Sequence, residues 1–333
     1  MIVYSYIRFQ KGENMISWKN NRMLAEAREA RFQPNPILQI LVFVMIFAVG
    51  SANASLVSIL PMLIGMLVDG RILEHIVPGD PESTMAATMS IMNEPWVMLI
   101  SLFATAVTTA ICLLYCRLVE RRSFASMGFR KQGWLSRYLK GYAIGTAMLL
   151  LCALILWLTG DLDFAFAEKI SVIYLVAFFM GFLIQGMSEE VLVRGYFMVS
   201  LGNRCHMAIA VVISSVAFAM LHLLNPGITL LALVNLTLFG VFMAVYILRT
   251  DDLLGACAIH SAWNFAQGNL VGIQVSGLAP LPTVAVMEPI GENPLLHGGS
   301  FGLEGGLIVT LVLLIAIVLT IALPQMARRG EPV

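Results

Sequence analysis

The sequence predicts an all-α protein that crosses a lipid bilayer several times. Of its 333 residues, 59% are hydrophobic and 12% are charged, whereas a soluble domain carries about 25% charged residues. Apolar runs close to the roughly 20 residues that a membrane-spanning helix needs recur along the chain. The formal net charge is zero, which gives no reason to expect a nucleic acid partner. We therefore expect a multi-pass membrane protein in contact with lipid.

Eight apolar segments are expected to form the membrane-spanning helices. They cover residues 38–67, 96–116, 141–160, 171–200, 207–224, 228–248, 253–272 and 305–324. The first is longer than a bilayer requires, so it is predicted either as one span or as a span with a re-entrant piece near residues 51–55. Short joints rich in Gly, Asn, Pro and Asp separate the later segments.

The distribution of Lys and Arg predicts the orientation. Basic residues concentrate in alternate joints, most densely in residues 117–137, whereas the loops 68–95 and 161–170 are acidic. Basic loops remain on the cytoplasmic side. The sequence therefore predicts a cytoplasmic N-terminal segment (1–35), a membrane-embedded helical domain (36–325) and a cytoplasmic tail (326–333).

Several ionisable residues lie inside the apolar segments, where a charge costs about 2.5–3.5 kcal/mol on insertion scales. Glu190 and Arg194 are four residues apart in the order that favours an ion pair within a helix. Glu189 points about 100° away from Glu190 around the helix axis, with no cation nearby in the sequence. Glu189 is therefore the candidate reactive carboxylate.

Two later segments carry histidines with a partner at the same spacing. Phe218 and His222 share one helix face, and so do His260 and Asn264. A lone histidine in a helix is more often a packing residue, but three segments with such groups predict one polar chamber. A carboxylate base, an imidazole and hydrogen-bond donors suit hydrolysis by activated water. Glu189, His222 and His260 also match a hydrolytic zinc site, although an HExxH motif is absent.

Three motifs in these segments resemble those of a known family. SEEVLVRGY, FAMLH and HSAWN are similar, in this order, to the EExxxR, FxxxH and HxxxN motifs of the CPBP intramembrane proteases, which include the type II CAAX prenyl endopeptidases. The resemblance covers residues 181–269 and implies a protease-like core at about 171–272.

The resemblance also implies roles for the motif residues. Glu189 and His222 would activate water, and His260 and Asn264 would support the oxyanion. Glu190, Arg194 and Phe218 would shape the site. Members of this family are described as metalloproteases, so zinc held by Glu189, His222 and His260 is one expectation; the same residues also suit a metal-independent glutamate mechanism.

The function expected is thus an intramembrane endopeptidase acting on a membrane-associated peptide or protein, in a plasma membrane of bacterial type. Two alternatives remain open at this point. A catalytically inactive scaffold or immunity protein would keep the same fold. A proton-coupled transporter would also place Glu and His within the bilayer, although the sequence shows no internal repeat of the kind many transporters have.

Overall fold

The structure is a computed structural model that describes residues 21–68, 80, 82–83, 90–91, 93–278, 281–290 and 293–322. The predicted cytoplasmic tail (326–333), residues 1–20 and most of the loop 68–95 lie outside the described residues. The described α-helices are α1 Arg22–Arg28, α2 Pro36–Val68, α3 Pro95–Ala104, α4 Ala106–Tyr115, α5 Trp134–Leu158, α6 Val172–Glu190, α7 Val199–Gly202, α8 Met207–Met220, α9 Leu230–Thr250, α10 Leu253–Phe265, α11 Pro294–His297 and α12 Leu307–Ala322.

The described residues form a polytopic, all-α membrane protein, as the sequence predicts. Five helical segments are long and apolar enough to cross a bilayer: Pro36–Val57, Pro95–Glu120, Trp134–Leu158, Val172–Gly202 and Leu230–Thr250. Two shorter apolar helices are Met207–Met220 and Leu307–Ala322. Each of the eight predicted segments coincides with a helix, and the number of complete crossings stays a prediction. The first segment is one continuous helix, α2, with no break at residues 51–55.

A small sheet was not expected. Strand β1, Leu162–Phe166, pairs antiparallel with β2, Ala285–Pro289, inside loops that the sequence left without regular structure. The two strands are more than 100 residues apart in the sequence. No hairpin turn joins them, so no short stretch of sequence predicts the pairing. The sheet connects the end of α5 to the segment that follows α10.

Helix α10 is the centre of the fold and packs on both α5 and α6. Small residues let the backbones approach closely, as is common between membrane helices. A Cβ atom at Gly145 of α5 would lie 2.2 Å from the Ile259 carbonyl oxygen, and one at Gly186 of α6 would lie 2.4 Å from Ser261 Oγ. The second contact lies beside Glu189 of the EE motif and His260 of the HSAWN motif, whose Oε2 and Nε2 atoms are 3.6 Å apart.

Two of the three helices that carry motifs, α6 and α10, continue as π-helix. Helix α6 continues as a π-helix over Val191–Met198, immediately after Glu190, and α10 continues as one over Ala266–Leu270. The π-turn is rare and occurs frequently at functional sites. Its position here points to the same region of the molecule as the motifs.

Candidate active site

Four candidate catalytic residues line a single cavity of about 870 Å³. Glu189 reaches it from α6, His260 and Asn264 reach it from α10, and His222 reaches it from the turn after α8. The volume lies in the range of sites that bind small molecules or peptide side chains, about 300–1,000 Å³. The polar chamber predicted from the sequence is therefore present in the fold.

Glu190 and Arg194 lie behind the cavity wall, where both are fully buried. The predicted ion pair is formed, with Arg194 Nη1 at 2.8 Å from Glu190 Oε1. The same carboxylate oxygen also contacts His260 Nδ1 at 2.9 Å. A carboxylate oxygen accepts from a ring N–H, so Nδ1 carries the proton and Nε2 of His260 faces the cavity side. Glu190 thus orients His260 as well as balancing Arg194.

Glu189 is partly exposed to the cavity, and its two oxygens differ. Oε1 accepts a hydrogen bond from Gln185 Nε2 at 2.5 Å. Oε2 has no hydrogen-bond partner among the described residues and lies 3.6 Å from His260 Nε2. Gln185 Oε1 in turn accepts from Asn264 Nδ2 at 3.0 Å. Gln185 had no predicted role, although it lies four residues before Glu189 and therefore on the same helix face.

The position of His222 differs from the expected one in its secondary structure. Helix α8 ends at Met220, so His222 lies in the following turn and not inside a helix over 207–224. Asn225 precedes Pro226, and a residue before proline is sterically disfavoured in helical conformation. The ring still lies against the helix end, because Nδ1 of His222 is 3.0 Å from the Phe218 carbonyl oxygen. A carbonyl oxygen only accepts, so Nδ1 carries the hydrogen and Nε2 is the basic nitrogen.

Phe218 lies between several elements of the site, and the shaping role expected for it stays a prediction. The Arg194 guanidinium lies 4.5 Å from the centre of the Phe218 ring, a distance at which a cation is attracted to an aromatic face. The rings of His222 and His260 are 5.0 and 5.9 Å away. One aromatic side chain thereby packs beside the buried guanidinium and both imidazoles.

The zinc ligands expected from the resemblance do not form a donor set here. Among the described residues, no group of three or more His, Cys, Asp or Glu side chains is placed to hold a metal ion. Nδ1 of each histidine is engaged, that of His222 with a carbonyl and that of His260 with Glu190, which leaves Nε2 as the nitrogen that could hold a metal. Zinc ligation by Glu189, His222 and His260 stays a prediction, and no step below depends on it.

An all-α membrane protein that places Glu, His and Asn side chains around one cavity has the groups that hydrolysis by activated water requires. Residues 171–266 match the family model described as type II CAAX prenyl endopeptidase, Rce1-like. This match confirms the family resemblance and supports a protease in general terms. Comparisons with curated proteins and with solved structures gave no match.

Proposed function

We propose that this protein is an intramembrane endopeptidase that hydrolyses a peptide bond with a water molecule activated by Glu189 and His222. The main support is the position of Glu189 on the lining of a cavity that His222, His260 and Asn264 also line, together with its buried Oε2, which has no hydrogen-bond partner among the described residues. An acceptor left without a partner in a buried site is unfavourable for stability. A water molecule or a substrate is what such an oxygen would bind.

In this mechanism Glu189 Oε2 takes a proton from water while the water oxygen bonds to the scissile carbonyl carbon. The basic Nε2 of His222 holds the same water by accepting its second hydrogen. The carbonyl oxygen becomes an oxyanion. The C–N bond then breaks, the carbonyl re-forms, and the proton on Glu189 passes to the departing nitrogen. No acyl-enzyme forms.

The oxyanion needs hydrogen-bond donors in a site that excludes water. Asn264 Nδ2 has two hydrogens and gives one to Gln185; the second has no acceptor among the described residues, and we assign it to the oxyanion. His260 holds its Nδ1 proton against Glu190, and when Nε2 is also protonated it donates from the side facing Glu189. Glu190 stabilises that doubly protonated imidazole, which is the function we assign to its contact with His260.

The cavity lining supports a membrane-associated peptide or protein as the proposed substrate. The plasma membrane of bacterial type stays part of the proposal. Most of the lining side chains are apolar, including Phe178, Phe182, Leu236 and Trp263. Such walls accept hydrophobic residues next to the cleaved bond. A free water-soluble peptide would leave these walls uncovered.

The test uses purified protein in lipid nanodiscs with a set of membrane peptides, read by mass spectrometry. We expect cleavage by the wild type, a fall of about 10²–10⁴-fold for His222→Ala, which helps to hold and deprotonate the water, and about 10²–10³-fold for Asn264→Ala, as for one lost oxyanion donor. Glu168→Gln, which changes an exposed carboxylate outside the cavity, is the control. Full activity of the folded His222→Ala and Asn264→Ala proteins would overturn the assignment.

Metal use is tested in the same assay. We expect activity to persist in strong chelators and metal analysis to find no stoichiometric zinc. Loss of activity with chelator and its return with added zinc would instead establish the metal-dependent alternative.

A further inference from the structure

A buried carboxylate that the proposed reaction does not use lines the same cavity. Glu304 lies in a 3-10 turn, Leu303–Gly305, directly before α12, and only 7% of its surface is exposed. It lies outside the segment 171–266 that matches the family. Both Glu304 and His222 line the cavity. Ser276, which donates to Glu304, is itself bonded by Asn225 in the turn that carries His222, so Glu304 belongs to the His222 side of the cavity.

One oxygen of Glu304 is fixed by three donors. Oε2 accepts from the Ser276 amide at 2.7 Å, from the Ser276 hydroxyl at 3.0 Å and from Gln267 Nε2 at 3.2 Å. Ser276 has a backbone φ of +50°, which is uncommon for a residue other than glycine. Asn225 holds that loop by donating to the Ser276 carbonyl oxygen at 2.9 Å. The carboxylate is therefore held in one orientation at the wall.

The second oxygen, Oε1, receives no hydrogen bond from the part of the chain that the structure describes. A buried carboxylate with one saturated oxygen and one free oxygen presents an acceptor to the cavity. Such an oxygen binds most strongly to a cationic donor, because charge-assisted hydrogen bonds are roughly twice as strong as neutral ones.

The other charged residues in and near the cavity also favour a cationic ligand. Its described lining contains Glu189 and Glu304 but neither lysine nor arginine. Arg194 is fully buried behind the wall, paired with Glu190. The cations available to a bound anion are thus the histidines that the proposed reaction already uses. A substrate carboxylate near the cleaved bond would be repelled, and specificity arises from such repulsion as well as from attraction.

We propose that Glu304 is a specificity subsite that accepts a lysine or arginine side chain next to the cleaved bond and disfavours a free carboxyl terminus there. The inference rests on the proposed function and adds the substrate class: a membrane peptide cut internally, beside a basic residue.

The test compares binding and cleavage of peptides that differ at one position. Membrane peptides carry lysine, norleucine or glutamate at each of the positions flanking the cleaved bond, and one further pair ends in a carboxylate or an amide close to it. Binding is measured by fluorescence anisotropy with Glu189→Gln protein in nanodiscs, so that no peptide is consumed, and kcat/KM is measured with the wild-type protein.

We expect the lysine peptide to bind roughly 10- to 100-fold more tightly than the norleucine peptide, as for a hydrogen bond to a charged group, and the glutamate peptide to bind most weakly. The amide should bind better than the carboxylate. Added to the same background, Glu304→Gln should reduce the lysine-to-norleucine ratio to about one. Glu288→Gln, which changes an exposed carboxylate on β2, should leave the ratio unchanged.

A purely structural role of Glu304 would weaken all peptides alike and keep the ratio, which would overturn the subsite. Equal binding of the three peptides to protein with Glu304 intact would overturn it as well, whether or not Glu304→Gln folds. Selective binding without any cleavage by the wild type would uphold the subsite and contradict the proposed function.

Discussion

At the scale of single residues, the buried charged groups of the site are only partly hydrogen-bonded to one another. Glu190 Oε1 serves both Arg194 and His260, whereas its second oxygen and two nitrogens of Arg194 have no partner among the described residues. Such incomplete satisfaction is costly in a buried network. It is retained here next to the groups that we assign to catalysis, where the fixed charge of Glu190 orients and stabilises His260.

Arg194→Ala tests this network. The substitution removes the cation from a pair that is fully buried on both sides, and an uncompensated buried charge typically costs about 3–5 kcal/mol. We expect a clearly lower melting temperature in detergent. Arg28→Ala, which removes an exposed arginine from α1, should melt like the wild type. An unchanged melting curve for Arg194→Ala combined with lost cleavage would assign Arg194 to substrate binding instead.

The sequence predicted the site residues that have recognisable spacing and not the ones that the fold brings in. Glu189, His222, His260 and Asn264 come from motifs at i,i+4 positions, and they do line one cavity. Gln185 carried the same spacing relative to Glu189 and could have been found in this way. Glu304 could not be found from sequence spacing. It contacts Ser276 and Gln267 only because of the way a glycine-rich segment without periodicity packs in the fold.

At the scale of the helix, the contact between α6 and α10 determines the geometry of the site. Glu189 and His260 lie on different helices. The distance of 3.6 Å between Glu189 Oε2 and His260 Nε2 depends on how closely these helices approach. Gly186, three residues before Glu189, lies directly on Ser261, the residue after His260. The absence of a side chain at position 186 therefore controls the distance between the base and the imidazole.

Gly186→Ala is expected to separate the two helices. The added Cβ would lie 2.4 Å from Ser261 Oγ and 2.9 Å from Ser261 N, and the second atom is backbone that cannot rotate away. Overpacking typically costs about 1–3 kcal/mol of folding stability. We expect kcat for peptide cleavage to fall by more than the loss of folded protein accounts for. Gly160→Ala, where a Cβ would meet no atom within 4 Å, probes a glycine without close contacts.

Should Gly186→Ala cleave peptides at the wild-type rate, the helix contact would have no part in positioning the site. Gly160 has a positive φ, so its substitution carries a conformational cost without a steric one. Comparing kcat at matched folded fractions separates the two effects.

Helix ends were predicted less well than helix positions, and the reason is local. The apolar run 207–224 continues past Met220, so hydropathy alone places His222 inside the helix. Helix α8 ends earlier, at Met220, because Pro226 restricts the backbone of Asn225 and the residues before Asn225 form turns. The consequence is functional, because His222 lies on a turn that the loop around Ser276 also contacts through Asn225.

At the scale of the whole molecule, the joints predicted to be cytoplasmic meet at one end of the fold. Asp251 accepts hydrogen bonds from the backbone of α1 and pairs with Arg130. Arg137 lies 3.1 Å from Asp252, and Asn203 donates to the Ala27 carbonyl oxygen at 2.9 Å. The β1–β2 sheet joins two of the loops predicted to be external. The alternation of basic and acidic loops thus agrees with the way the chain folds.

This arrangement predicts the topology. Reporter fusions after Arg122 and after Arg329 should be cytoplasmic, and fusions near Glu82 and Leu296 should be external, because basic loops are retained on the cytoplasmic side. An external reporter at position 329 would remove the model of eight crossings with both termini in the cytoplasm.

The class of fold followed from composition, whereas the tertiary contacts did not. The low charge and the apolar runs were sufficient to predict a polytopic helical protein, because a bilayer excludes most other structures. The pairing of β1 with β2 and the placement of Glu304 in the cavity depend on contacts between distant segments. No single stretch of sequence specifies such contacts.

The most direct test of the central claim is the rate at which folded Glu189→Gln protein cleaves a membrane peptide in nanodiscs. Glutamine keeps the shape of the side chain and its contact with Gln185 but cannot take a proton, so cleavage should fall by about 10²–10⁴-fold, as for a lost general base. Glu168→Gln, an exposed carboxylate outside the cavity, should cleave at the wild-type rate. Equal rates for Glu189→Gln and the wild type would contradict the claim that Glu189 activates the water.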